Sequence, residues 1–252
     1  MRYFGVALAC AGLLIQAVGA HAIQFAPPRA VAADEEVGLA GGRPLGLTVG
    51  LAASSWDMPT IDLGGGVSME FEAQVRPLVT AEYQSDSKWS LGAWVNAIAW
   101  DVTLGGPGGS LKVADVDGTM FEIHGTYALP SFGGLGLSAQ LGYQRTDFDI
   151  TVPGSVTGGA ALTDSVSQDK VVLWGLGTYA VKSGEEATKL TLLAGLGLQQ
   201  NLDEPKFTEA NALLGASYAF TPAISADASV WFNDFLRSEN AIRFTAGVTG
   251  RF

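Results

Sequence analysis

Cysteine is almost missing from this 252-residue chain: its single copy, Cys10, lies in an apolar stretch near the start. Disulfide frameworks and thiolate chemistry are therefore excluded from everything that follows that stretch. Positive charge is also scarce. Fourteen Lys and Arg stand against 25 Asp and Glu, a net charge of −11, and a surface so acidic repels phosphate backbones and excludes nucleic acid as a partner. The sequence has no phosphate-binding Walker loop, paired CxxC or dinucleotide fingerprint. Histidine is limited to His21 and His124. Glycine is abundant at 33 residues but has no three-residue period, which excludes collagen.

The first residues, "MRYFGVALACAGLLIQAVGAHA", carry one early cation, Arg2, an apolar run from Phe4 to Val18 and a small-residue ending at Ala20-His21-Ala22. This pattern predicts a secretory signal peptide over residues 1–22. The run is shorter than the roughly 20 residues that a membrane-spanning helix requires. A lipidation site at Cys10 is disfavoured because so few residues precede it. Residues 23–44, "IQFAPPRAVAADEEVGLAGGRP", hold no sustained period and are expected to form a flexible periplasmic lead-in. One domain is expected over 45–252.

Within that domain the dominant period is 2. Counting back from Phe252, the residues Gly250, Val248, Ala246, Phe244 and Ile242 share one face, and Arg251, Thr249, Gly247, Thr245 and Arg243 the other. In "GVSMEFEAQV" the apolar Val67, Met69, Phe71, Ala73 and Val75 alternate with Ser68, Glu70, Glu72 and Gln74. Ten such segments run from Leu45 to Trp56, Gly66 to Gln84, Lys88 to Leu104, Val116 to Leu129, Gly134 to Ile150, Asp169 to Val181, Thr188 to Gln199, Ala210 to Phe220, Ala223 to Phe232 and Ala241 to Phe252. Short connectors such as "SDS", "PSFG", "SGEEA" and "TP" alternate with longer ones such as "DMPTIDLGG", "GGPGGSLK" and "TVPGSVTGGAALTDSVSQ".

An even strand number with short turns at one end and long loops at the other predicts an all-β fold, a transmembrane antiparallel up-and-down β-barrel of 10 strands. The short turns then face the periplasm and the long loops the outside. Tyr83, Trp89, Phe132, Phe220 and Phe252 fall near short turns, while Trp56, Trp100, Phe148, Trp231 and Phe232 fall near long loops. That placement predicts two interfacial aromatic belts. A soluble β-sandwich would also alternate, but it gives no reason for the short-long rhythm.

The signal-like start, the closing segment "AIRFTAGVTGRF" and hairpins such as "LLGASYAFTPAISADASVWF" make the chain resemble bacterial outer-membrane β-barrel proteins of the porin-like kind. The resemblance covers 45–252. It implies an outer-membrane location, contact with outer-membrane lipids and a final strand read by the barrel-assembly machinery, with Phe252 and Phe244 as the assembly signal. It assigns no subfamily.

The polar face places Glu70, Glu72, Gln74, Asn96, Glu122, His124, Gln140, Gln144, Asn211, Asp227 and Arg243 in the lumen, with Arg251 near its mouth. In a narrow barrel these side chains either interlock or line a path for small polar solutes. Glu122 and His124 share a face in "FEIHGTY", a spacing suited to orienting an imidazole base, although no nucleophile is fixed beside them. A hydrogen-bonded lumen histidine and a non-enzymatic protein are the expectation. Asp115 and Asp117 in "ADVDG", and Asp147 and Asp149 in "TDFDI", do not match a dedicated calcium loop. No metal and no cofactor are expected. The functional expectation is a monomeric barrel of structural or porin-like role passing small polar solutes, or alternatively a surface barrel whose loops bind an extracellular ligand, with a membrane-embedded hydrolase as the third reading.

Overall fold

The computed structural model describes residues 46–85, 88–183, 186–204, 206–236 and 241–252. The proposed segments 1–22 and 23–44 lie outside them. Among the described residues there are twelve strands: β1 (Gly46–Asp57), β2 (Ile61–Gly64), β3 (Val67–Ala73), β4 (Arg76–Gln84), β5 (Trp89–Gly106), β6 (Gly109–Phe132), β7 (Leu135–Val152), β8 (Leu162–Ser183), β9 (Glu186–Asn201), β10 (Thr208–Thr221), β11 (Ile224–Asn233) and β12 (Ala241–Arg251). β3 and β4 both pair with β5 and form two halves of one staved strand, while β2 is a flap paired only with β3. The other strands pair antiparallel in sequence order, and β12 returns to β1. The result is a closed 10-strand antiparallel β-barrel with no free edge around its girth.

Closure is sealed at the last residue. The Phe252 amide donates to the Leu47 carbonyl at 2.8 Å, and its ring stands 81% exposed on the outer surface. Two of the short turns, β6–β7 and β10–β11, lie wholly among the described residues, and both are tight. Gly133 and Gly134 link β6 to β7 with φ of 60° and 84°, the left-handed pair a two-residue hairpin requires. Two of the long loops are instead mostly strand. "GGPGGSLK" is a turn at Pro107 and Gly108 between β5 and β6, and β7 and β8 stay paired as far as Val152↔Leu162, leaving one helical turn, Gly154–Thr157, near the tip.

The outer surface explains which solvent the barrel faces. Leu51, Val95, Ile123, Leu141, Leu173, Leu196, Leu214 and Val248 project outward and are at least half exposed, on strands all round the ring. A water-facing sheet would not carry such a continuous apolar girdle; hydrocarbon accounts for it. The band ends abruptly. On β7, Leu137, Ala139, Leu141 and Tyr143 face outward, then Arg145, Asp147 and Asp149 on the same face. Since β6 runs for 24 residues and a tilted span needs about 9 to 11, the strands continue far past the bilayer on the long-loop side.

Beyond the band the alternation changes sign. Outside is now water, so apolar side chains turn inward and polar ones outward. Phe148, Ile150 and Val152 are buried inside the barrel on the face that carries Gln140 and Gln144 lower down. This corrects the aromatic assignment. Trp89, Phe132, Phe220 and Phe252 do stand exposed at the short-turn end, but Trp56, Trp100, Phe148 and Trp231 are at most 2% exposed and fill the interior instead of forming an outer belt.

Candidate functional site: the barrel interior

Side chains from every strand of the ring converge in the interior, and they sort into layers. Near the short turns the lining is small and polar. Ser90 donates to Glu82, and Thr249 and Ser225 donate to Asp227 at 2.6 Å and 3.3 Å. Deeper, Gln140 donates to Glu122 Oε1 at 3.1 Å and Thr126 donates to Gln140 at 3.4 Å. His124 Nδ1 lies 2.9 Å from the same Glu122 oxygen. The imidazole packs against Gly92, where any Cβ would collide with it. Glycine is therefore required there by the ring's close approach. Among the described residues no hydroxyl is seen hydrogen-bonded to His124, whose nearest charged neighbour is the Glu122 carboxylate.

A second chain of contacts links β7, β9 and β10 to the turn that follows β11. Gln199 on β9 donates to Gln144 on β7 at 3.1 Å, Asn211 on β10 donates to Gln199 at 3.5 Å, and the Asp234 amide donates to Asn211 Oδ1 at 3.0 Å. That last bond holds Asp234 at a φ of 46°, a conformation few non-glycine residues adopt. Asn96 meets the Ser54 hydroxyl at 2.8 Å. Lys170 forms a buried pair with Glu209 at 3.2 Å, its Nζ 5.4 Å from the centre of the Phe207 ring.

Arg243 has a different environment. Fully buried, its guanidinium lies 4.9 Å from the Trp56 ring centre and 5.8 Å from that of Trp231. Trp174 meets Trp231 edge to face at 5.1 Å. These rings, with Met69, Val102, Met120 and Phe148, pack the outer half of the barrel as a solid core.

Glu70 and Glu72 stand apart from the lumen. Met69 and Phe71 take the inward positions, opposite Leu104 and Val102, and the two glutamates are exposed on the outer face. The physical reason is the sign change described above: β3 stands in water, so its apolar face turns to the core. Gln74, at the junction to β4, is also on the outer wall, donating to Asp101 at 2.9 Å and accepting from Arg76 at 2.7 Å. Asn96, Glu122, His124, Gln140, Gln144, Asn211 and Arg243 are buried within the barrel; Asp227 is partly accessible and Arg251 exposed at its mouth. Sequence reasoning missed Lys170, Glu209 and Gln199. The first two fell just outside or at the edge of segments started at Asp169 and Ala210; continuing the alternation through Val172 and Trp174 exposes Lys170.

Above the membrane band the outer wall is a lattice of carboxylates and hydroxyls. Ser165 donates to Asp149 and Ser167 to Asp147, both at 2.6 Å, and Arg145 reaches Asp147 at 3.1 Å. Asp117 and Asp149 are direct cross-strand neighbours. Lys112 bridges Asp101 and Asp115; its proximity holds the Asp101 carboxyl below the usual range, and the two carboxylates, Asp115 foremost, push the Lys112 ammonium up. Among the described residues no group of three His, Cys, Asp or Glu is arranged to hold a metal.

No protein-family model matches the chain, and no curated protein matches it. Solved structures do. The transport unit of the autotransporter AIDA-I from Escherichia coli superposes with a TM-score of 0.51 at 10% identity, covering 85% of this chain and 92% of that one. The beta domain of the Bordetella autotransporter BrkA gives 0.49 at 12% identity, covering 82% and 98%, and the translocator domain of autotransporter NalP from Neisseria meningitidis gives 0.48 at 15%, covering 99% of each. At such identities the likeness is one of fold: a closed ten-stranded antiparallel barrel resembling the barrel proteins of bacterial outer membranes.

Proposed function

We propose that this chain resides in the bacterial outer membrane as a closed, non-enzymatic barrel that binds a cationic partner at its extracellular rim, and that it is not a pore. The observation that carries this reading is the interior. The large side chains of Trp56, Trp100, Trp174, Trp231, Arg243 and Phe148, contributed by six different strands, are all less than 2% exposed, or 2% for Trp56, and leave the core of the barrel packed. Passage of small polar solutes would need an aqueous path past them. In this reading residues 1–22 direct export, 23–44 lie in the periplasm, and the Phe252 strand serves the assembly machinery.

The binding surface is the acidic wall above the band. Asp117, Asp147 and Asp149 stand on adjacent strands; Arg76 pairs with Asp117 and Arg145 with Asp147, but with Asp101 and Asp115 the carboxylates of this wall outnumber Arg76, Arg145 and Lys112, and the uncompensated like charges repel one another. A partner presenting lysines or arginines relieves that repulsion. The experiment is titration of fluorescent oligolysine against the purified barrel in nonionic micelles. Binding at low salt should weaken several-fold at physiological salt, and the triple variant D117N/D147N/D149N should weaken it several-fold more at low salt. Equal binding by the triple variant, or none at low salt, contradicts the assignment.

A further inference from the structure

Main-chain pairing does not continue along the whole height of the barrel wall. β1 pairs with β4 as far as Ser54↔Arg76, and beyond it Ser55, Trp56 and Asp57 retain strand pairing only on the β12 side. β3 meanwhile pairs with β5 on one edge and with the β2 flap on the other. A seam without strand hydrogen bonds therefore separates the upper end of β1 from β3, at the outer margin of the apolar band. Trp100 bridges it from within, its indole N–H donating to the Trp56 carbonyl at 3.2 Å.

On the lipid side a hollow of about 610 Å³ adjoins this seam. Its floor is one rung of alanines in direct register: Ala53 opposite Ala246, Ala246 opposite Ala228, and Ala228 opposite Ala216. Val75 and Phe244 stand at its sides. Four methyl groups in a row, beside larger residues such as Val75, Leu214, Val230 and Phe244, leave a trough in a surface that hydrocarbon must cover.

The inner side of the same wall carries Arg243, in register with Trp56 on β1 and Trp231 on β11. It is 0% exposed, and none of its three guanidinium nitrogens has a hydrogen-bond acceptor among the described residues. A cation removed from water recovers only part of its hydration from two ring faces and the longer-range attraction of Glu122, neither of which uses its N–H donors, so those donors favour an anion. The guanidinium fork matches a carboxylate, which two parallel N–H bonds hold in one plane. The seam spans only the last three residues of β1, which suits a flat carboxylate better than a bulky phosphate headgroup.

We propose that this sector of the wall binds a free fatty acid: the acyl chain lies along the alanine rung, and the carboxylate passes the seam to Arg243 as the Trp100 to Trp56 bond yields. The interaction is independent of the acidic rim, so either can fail without the other.

The test uses the full barrel in nonionic micelles and the fluorescence of its interior tryptophans, with a terminally brominated dodecanoic acid as quencher and its methyl ester as the uncharged comparator. Quenching of the wild type by the acid should saturate, with affinity higher than for the ester. Arg243→Met should weaken the acid by roughly tenfold or more, the worth of a charge-assisted hydrogen-bond pair, and leave the ester unchanged. Ala228→Leu, which fills the trough from outside without touching the interior, should weaken both. Should Arg243→Met fail to give heat-modifiable folded barrel, the acid-to-ester ratio on wild type and Ala228→Leu decides the matter. Equal binding of acid and ester to the wild type, undiminished acid binding to folded Arg243→Met, or absence of saturable quenching overturns the proposal.

Discussion

Replacing Lys170 with methionine should destabilise the folded barrel by about 3–5 kcal/mol, the cost of removing one partner from a buried ion pair. Lys170 is 1% exposed and Glu209 is nearly as deep, with 3.2 Å between Nζ and the carboxylate. Methionine fills much of the same volume but leaves Glu209 in a low-dielectric interior without its cation. Replacing both residues with methionine removes the carboxylate as well, so the double variant should recover most of the loss. Urea or guanidinium unfolding followed by tryptophan fluorescence measures the difference. Equal destabilisation of single and double variants would show that shape, and not charge pairing, holds this part of the interior together.

A loss of similar size, about 3–5 kcal/mol, is expected for Trp174→Ala, because the vacated volume is walled by rigid strands that can collapse only in part. Trp174 stacks edge to face on Trp231 with ring planes at 87°. It also lies flat against Gly197 on the next strand, where a Cβ would come within 2.6 Å of the indole. Gly197→Val should therefore destabilise in its own right, by forcing the indole out of place. The two substitutions should be far from additive: in a Trp174→Ala background the valine enters space already emptied, so the double variant should be more stable than the sum of the singles implies. Additive losses would mean that Gly197 serves strand conformation and not the ring.

The strands themselves were legible in the sequence because alternation reports burial directly. The ten segments, the short turns and the closing strand at Phe252 all follow from local residue patterns, and Gly133-Gly134 announces its own hairpin. Alternation alone, however, does not say which solvent covers the outer face. In the membrane band the polar face is inside; above it the apolar face is inside. Glu70 and Glu72 were misplaced, and Trp56, Trp100, Phe148 and Trp231 were read as a belt, because a single rule was carried across that boundary. Cross-barrel partners were not legible at all. Arg243 meets Trp56 and Trp231 through pairings set by the register of closure, and nothing within a few residues of any of the three encodes it. Lys170 and Glu209 lie on strands two apart, brought together by the registers that both strands take against β9.

A filled interior is tested most directly by recording current across planar bilayers containing the purified, heat-modifiable barrel. Packing of Trp56, Trp100, Trp174, Trp231, Arg243 and Phe148 at 2% exposure or less predicts a silent membrane at neutral pH, with no stepwise conductance at any salt or protein concentration. Stable steps whose size grows with salt, and whose ion selectivity shifts when Glu122 or Asp227 is neutralised, would show a continuous water path through the lumen and contradict the closed barrel.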